Sequence, residues 1–133
     1  MNSEGFEKGF YILDKWLSLR LSGDNLESFF EDNDIKTVAI YGMGALGERL
    51  FQELQYSSVD VLYAIDRIAE YKDGGVLQIY SSKEASYPNA DVIIVTPTQY
   101  YWDIVEKLEN KTAISIISLE DVVEYCYRKK YKR

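Results

Sequence analysis

The sequence has no histidine, one cysteine and two prolines among its 133 residues. Without histidine it lacks the commonest general base and the commonest metal ligand, so Ser-His and zinc hydrolysis are excluded. We predict no metal site, and no catalytic residue can be identified. The single cysteine, Cys126, excludes an internal disulfide framework and is typical of a reducing cytoplasm, where we expect the protein to be.

Long apolar runs and an excess of basic residues are also missing. Runs such as "VIIV" at 92–95 are far shorter than the roughly 20 residues of a membrane span. The start, "MNSEGFEKGF", lacks the pattern of a signal peptide. The net charge of −7 argues against nucleic acid, whose phosphates would be repelled. We therefore expect one domain with neither a membrane span nor a nucleic-acid partner.

Apolar β-type runs and helical periods alternate after residue 36. The runs lie at 37–41, 60–65, 76–80, 91–96 and 113–118. Near-continuous apolar strands separated by amphipathic helices indicate a parallel sheet covered on both faces. We predict an α/β three-layer sandwich over residues 36–133, with a five-stranded parallel Rossmann-like sheet in the order 3-2-1-4-5. Its weakest part is 81–90, where only "SSKEASY" supplies a short helix.

Residues 1–35 form a predicted N-terminal helical extension with two apolar stripes. One stripe contains Phe6, Phe10, Leu13, Leu17 and Leu21, and the other contains Ile12, Trp16 and Leu19. One interpretation is a single wide face towards the core. In the other, one stripe docks on the domain and the second on another subunit, because a helix lying on a sheet needs only one. We expect a homodimer or a protein partner through this helix, with Trp16 at the contact.

Three glycines follow the first predicted strand and open a helix, in "VAIYGMGALGERL". Their spacing, Gly42-x-Gly44-x-x-Gly47, is the dinucleotide-binding fingerprint. The first glycine permits the tight turn, the second lets the backbone approach a pyrophosphate, and the third lets helix and strand pack closely. We therefore predict that a dinucleotide binds at this segment, which also includes Met43, Ala45 and Leu46.

Asp66 ends the second predicted strand, 19 residues after Gly47. A carboxylate there accepts hydrogen bonds from ribose hydroxyls, and its charge repels a 2′-phosphate. The expected cofactor is therefore NAD, with NADP less favoured. Arg67 weakens this preference, because its guanidinium pairs with phosphate or stacks on adenine.

The segments "IKTVAIYGMGALGERLFQEL", "DVLYAID" and "ADVIIVTPTQYYWDIVEKL" resemble the NAD(P)-binding Rossmann family. In similar oxidoreductases that act on sugars, a Thr-Pro turn borders the cofactor, which implies cofactor contacts for Thr96 and Pro97. The upstream segment through "WLSLRLSGDNLESFFEDND" adds a looser likeness. It is similar to small Rossmann-like domains of bacterial gene clusters for capsule and other surface polysaccharides.

Other candidates for chemistry have simpler interpretations. Tyr125 and Lys129 have the Tyr-x-x-x-Lys spacing of short-chain dehydrogenases, but we interpret it as coincidence within a tyrosine-rich and lysine-rich tail. Cys126 lies on an apolar helix face and is expected in the core.

Three hypotheses for function remain. The first is a small NAD-binding module that acts through a partner or as a homo-oligomer, for which the resemblance implies a role in nucleotide-sugar or polysaccharide metabolism. The length of the sequence and the lack of an evident acid–base group favour this hypothesis. The second is an oxidoreductase or epimerase on sugars whose active site forms between two subunits, in the cleft beside Thr96–Tyr101. The third is a scaffold that binds no nucleotide.

Overall fold

A computed structural model describes residues 3–67 and 77–131 of the chain. Its strands are β1 (Thr37–Tyr41), β2 (Asp60–Asp66), β3 (Ile79–Ser81), β4 (Val92–Val95) and β5 (Ser115–Ser118). Its helices are α1 (Ser3–Leu21), α2 (Glu27–Asp32), α3 (Ala45–Leu54), α4 (Tyr101–Leu108) and α5 (Leu119–Tyr131), and a 3-10 helix (Thr98–Tyr100) joins β4 to α4. The helices differ in length and apolar content, and none within the two described ranges has the combination that a membrane crossing requires.

The five strands form one sheet in the order β3-β2-β1-β4-β5, and every neighbouring pair is parallel. This confirms the predicted architecture and strand order. The third strand is predicted at 76–80, and in the structure β3 begins at Ile79. The predicted first residue, Val76, lies outside the described residues. The register between β1 and β2 shifts after Val38, so that Leu62 has no partner on β1 and is exposed.

Helices cover both faces of the sheet because alternate strand residues point to opposite sides. On one face, Val38, Ile40 and Ile94 share a core with α3, α5, α1 and α2. On the other face, Ala39, Ile93 and Val95 pack with α4. Helices α1 and α2 therefore contribute to the same core as the sheet.

The prediction of a helix within 81–90 is wrong, because the structure has a turn at 82–83 followed by irregular chain. Tyr87 covers the sheet there in place of a helix. Its ring packs edge-on against Tyr80 and lies 6.4 Å from that of Tyr63, and its hydroxyl donates a 2.9 Å hydrogen bond to the Ser81 carbonyl. The Tyr63 hydroxyl donates to the Pro88 carbonyl at 2.6 Å. Aromatic packing and these side-chain bonds hold this connection.

The two stripes of α1 have different environments. Ile12, Trp16 and Leu19 are buried in the core, whereas the other stripe is exposed, from 38% at Leu13 to 79% at Leu21. A single wide core-facing band is therefore wrong. The choice of Trp16 for a subunit contact is also wrong, because this side chain is 4% exposed within its own chain.

Glu53 of α3 joins the extension to the sheet. Its side chain is 7% exposed, and it accepts hydrogen bonds of 2.7 Å from the Trp16 indole N–H and from the Leu26 backbone N–H. The Arg20 guanidinium adds a 3.6 Å ion pair. One carboxylate therefore fixes both α1 and the start of α2 against α3.

Candidate functional site

The three glycines of the fingerprint occupy the turn from β1 into α3, at the carboxyl edge of the sheet. Gly42 has φ +99°, a conformation that side chains disfavour. A Cβ at Gly42 would lie 2.7 Å from both Pro97 Cδ and Thr96 Oγ1, and one at Gly47 would lie 2.0 Å from the Gly42 carbonyl oxygen. Both positions therefore require glycine for the fold itself.

Gly44 differs from the other two because a Cβ there would meet no atom within 4 Å. It is the exposed N-cap residue of α3, and no side chain caps the helix. The first N–H groups of an α-helix have no partner inside the helix and carry its partial positive charge. Gly44 and exposed Ala45 thus leave room for an anion at this helix end.

Met43 and Leu46 contribute to the loop through packing. The Met43 side chain is 4% exposed and belongs to the core beneath α3, so it does not face the solvent at the carboxyl edge of the sheet. Leu46 is half-buried, and its Cδ1 would lie 3.9 Å from a Cβ at Gly9 of α1. Of the fingerprint segment, Gly44 and Ala45 have the most open surroundings.

Asp66 is directed towards the glycine loop. Its Oδ2 accepts a 2.7 Å hydrogen bond from the Met43 backbone N–H. A carboxylate has about four lone-pair positions, so the same group can accept further hydrogen bonds. Asp66 therefore lies beside the glycine loop at the end of β2, and exposed Arg67 follows it.

Thr96 and Pro97 line the opposite side of the β1 turn. The Thr96 hydroxyl lies 2.7 Å from the Gly42 carbonyl oxygen and 3.1 Å from that of Tyr41, and the side chain is buried. Because this hydroxyl is used within the fold, Thr96 braces the turn, and Pro97 packs directly on Gly42.

Tyr41 and Ser82 also belong to this edge, and sequence reasoning missed both. Burial raises the pKa of the Tyr41 phenol, the nearby Asp66 carboxylate adds to this rise, and the Ser82 side chain opposes it. The Ser82 backbone N–H donates to the Asp66 carbonyl at 2.9 Å. The position of Tyr41 immediately before the glycine motif was the only available signal.

The remaining candidates have structural environments. Lys129 Nζ lies 2.7 Å from Asp32 Oδ2, and Tyr125 is hydrogen bonded to the same carboxylate, which raises the pKa of the phenol. This pair therefore fastens α5 to α2. Cys126 is buried, as expected, and burial raises the pKa of its thiol. No three acidic or cysteine side chains converge as metal ligands in the ranges that the structure covers.

A family model described as C2185-like, N-terminal, matches residues 34–127. The chain belongs to this family. The match includes the whole sheet, with β1 to β5, and excludes α1 and α2. No curated protein and no solved structure matches the chain. The resemblance to NAD(P)-binding proteins and to polysaccharide clusters is not part of the family's description, so the cofactor stays a prediction.

Proposed function

We propose that the chain is a small nucleotide-binding module that holds an NAD-type dinucleotide at the turn between β1 and α3. The pyrophosphate lies on the α3 N-terminus, and Asp66 accepts hydrogen bonds from a ribose. The observation that carries this proposal is the contrast among the three glycines. Gly42 and Gly47 are required by the fold, whereas Gly44 has open space above its backbone, where a phosphate would approach.

Charge supports NAD over NADP. The Asp66 carboxylate lies at the end of β2, next to the glycine loop, so it would repel a 2′-phosphate on the adenosine ribose. Arg67 is exposed beside it and offsets part of this repulsion. We therefore propose a modest preference, with NADP bound more weakly.

Calorimetric titration of the chain with NAD, NADP, S-adenosylmethionine and nucleotide sugars tests the proposal. We expect saturable NAD binding and weaker NADP binding. Nucleotide sugars belong in the panel because the resemblance to polysaccharide-cluster proteins supports a role in that metabolism. A chain that binds none of these ligands would be a Rossmann-like scaffold. Turnover of NADH with a nucleotide sugar would favour the oxidoreductase or epimerase hypothesis.

The exposed stripe of α1 supports a second proposal, that two copies of the chain form a homodimer. The stripe contains Phe6, Phe10, Leu13, Leu17 and Leu21, all on one side of a helix whose other side is buried. Monomers rarely leave so continuous an apolar surface in water. Two such stripes packed against each other would remove both from water at a twofold axis.

Light scattering with Leu17→Glu tests the homodimer. Leu17 is 57% exposed, so the fold tolerates a charge there while an interface would not. We expect a dimer for the unmodified chain and a folded monomer for the variant. Trp102→Glu is the control, because Trp102 is 78% exposed and lies on α4, which covers the opposite face of the sheet. A monomeric unmodified chain at micromolar concentration would refute the homodimer.

A further inference from the structure

A dinucleotide on a Rossmann-like sheet spans both sides of the switch point. Here the switch point lies between β1 and β4, where the strand order reverses. In the proposed site, one nucleoside binds beside Asp66, at the carboxyl end of β2. The second nucleoside would then extend across the carboxyl ends of β4 and β5.

The loop after β4 is in contact with the start of α1. Gln99, in the 3-10 helix that follows β4, has its side chain directly against Gly5. A Cβ at Gly5 would lie 2.4 Å from Gln99 Nε2 and 3.3 Å from Gln99 Cγ. The first turns of α1 therefore lie on the segment that would border the second nucleoside.

The first turns of α1 also contact the segment that follows β5. α5 begins at Leu119, the residue after β5, so no loop intervenes there. Glu120, in the first turn of α5, pairs with Lys8 of α1 at 3.6 Å. Gly9, one residue further along α1, faces Leu46 in the first turn of α3. The start of α1 thus contacts α3, the 3-10 helix and α5, all at the carboxyl edge.

From these contacts, and resting on the proposed nucleotide site, we infer that the site takes a nucleoside diphosphate moiety alone. The glycine loop and Asp66 hold one nucleoside and the pyrophosphate. The start of α1 contacts the segments that follow β4 and β5, which would border the second nucleoside, so the nicotinamide riboside of NAD projects into solvent. Such a site recognises the nucleotide without presenting its nicotinamide ring to a substrate, which fits a binding module better than a hydride-transfer enzyme.

Calorimetric titration with ADP, ADP-ribose and NAD provides the first test. We expect the three dissociation constants to agree within about threefold, because the groups beyond the pyrophosphate make no contact. An NAD affinity more than tenfold above that of ADP-ribose would overturn the inference while leaving the nucleotide site intact. Absence of binding by all three would overturn the proposed function and, with it, this inference.

NADH fluorescence provides an independent test. A nicotinamide ring in solvent should keep the emission maximum of free NADH and its susceptibility to quenching by acrylamide. A blue-shifted emission that resists quenching would show an enclosed ring and contradict the inference.

A crosslink tests whether α1 has to move for NAD to bind. A Cβ at Gly5 would lie 3.3 Å from Gln99 Cγ, so Gly5→Cys with Gln99→Cys places two thiols close together, and titration of free thiols shows that the disulfide has formed. Cys126 is buried and does not compete. We expect the oxidised double variant to bind both ADP and NAD as the unmodified chain does, with the reduced variant as the matched control. Selective loss of NAD binding upon oxidation would show that α1 is displaced by the second nucleoside, contrary to the inference.

Discussion

Gly44 separates ligand binding from folding at a single residue. Its φ of −76° is open to any side chain, and a Cβ there meets nothing within 4 Å. We expect Gly44→Val to abolish nucleotide binding, since the side chain blocks the pyrophosphate, and to leave the melting temperature within about 2 °C, as for other surface substitutions. Calorimetry and thermal unfolding measure the two effects.

Two further substitutions serve as controls for the effects of Gly44→Val on binding and on stability. Ala113→Val adds bulk at an exposed position before the amino end of β5, so it should affect neither property. Gly47→Val should prevent stable folding, because its Cβ would overlap the Gly42 carbonyl. Unchanged nucleotide affinity in Gly44→Val would place the ligand away from this loop.

Asp66 has a structural partner as well as its proposed ligand, so its replacement has two effects. Asp66→Ala removes the acceptor of the Met43 N–H, which costs about 1–3 kcal/mol of unfolding free energy. It also removes a charge-assisted hydrogen bond to ribose, worth about 1.5–3 kcal/mol of NAD binding. The difference between NAD and NADP affinity should shrink, because the repulsion of the 2′-phosphate is lost.

Asp66→Asn distinguishes these two effects. The amide keeps one oxygen as an acceptor for the Met43 N–H, so the free energy of unfolding, measured in denaturant, should fall less than in Asp66→Ala. The charge is gone in both variants, so the gap between NAD and NADP should shrink in each. Tight NAD binding by both would show that Asp66 does not contact the ribose.

Among the elements, the strands and the helix after the glycines could be predicted because their signals are local. Apolar runs and a glycine spacing lie within a few neighbouring residues. The packing of residues 82–90 could not be predicted, since Tyr87 contacts Tyr63 and Tyr80 only after the sheet has formed. The same holds for Gln99, whose contact with Gly5 depends on the path of α1.

Glu53 shows the limit of helical periodicity as a guide to burial. A charged residue in an amphipathic helix is expected in solvent, yet this carboxylate is 7% exposed and binds two N–H groups. Its partners, Trp16 and Leu26, come from two other segments of the chain. No pattern around Glu53 itself indicates them.

The docking of α1 on α3 should depend on Glu53. Glu53→Ala leaves the Trp16 indole and the Leu26 N–H without their acceptor, at about 1–3 kcal/mol for each buried donor. We expect a lower denaturant midpoint, measured by circular dichroism. Glu48→Ala is the matched control on the same helix, because Glu48 is 55% exposed. Equal midpoints for the two variants would show that the Glu53 contacts do not stabilise the fold.

For the whole molecule, tyrosine ionisation should set the alkaline limit of stability. Burial raises the pKa of Tyr63 from 10.0 to about 12, and the pKa of Tyr87 and Tyr101 in the same direction. The folded state thus holds these protons more tightly than the unfolded chain does. The stabilisation is complete below pH 10 and is lost as the pH rises towards 12.

Urea unfolding between pH 8 and 11.5 measures this loss. The free energy of unfolding of Tyr63→Phe should decline less steeply over that interval, because the variant lacks the phenol whose pKa is raised to about 12. Tyr56→Phe, at a position that is 88% exposed, should follow the unmodified chain. A decline of the same steepness in both variants would assign the alkaline sensitivity to other groups.

The contacts of α1 also set an order of assembly during synthesis. Trp16 binds Glu53, which is made 37 residues later, whereas Lys15 binds Glu124, 109 residues later. On a ribosome, α1 can therefore pack against α3 early, whereas its contacts with α5 can form only after most of the chain has emerged. Throughout that interval the side of α1 that faces α5 stays open to water. A nascent chain stalled before α5 should consequently be the form that chaperones retain.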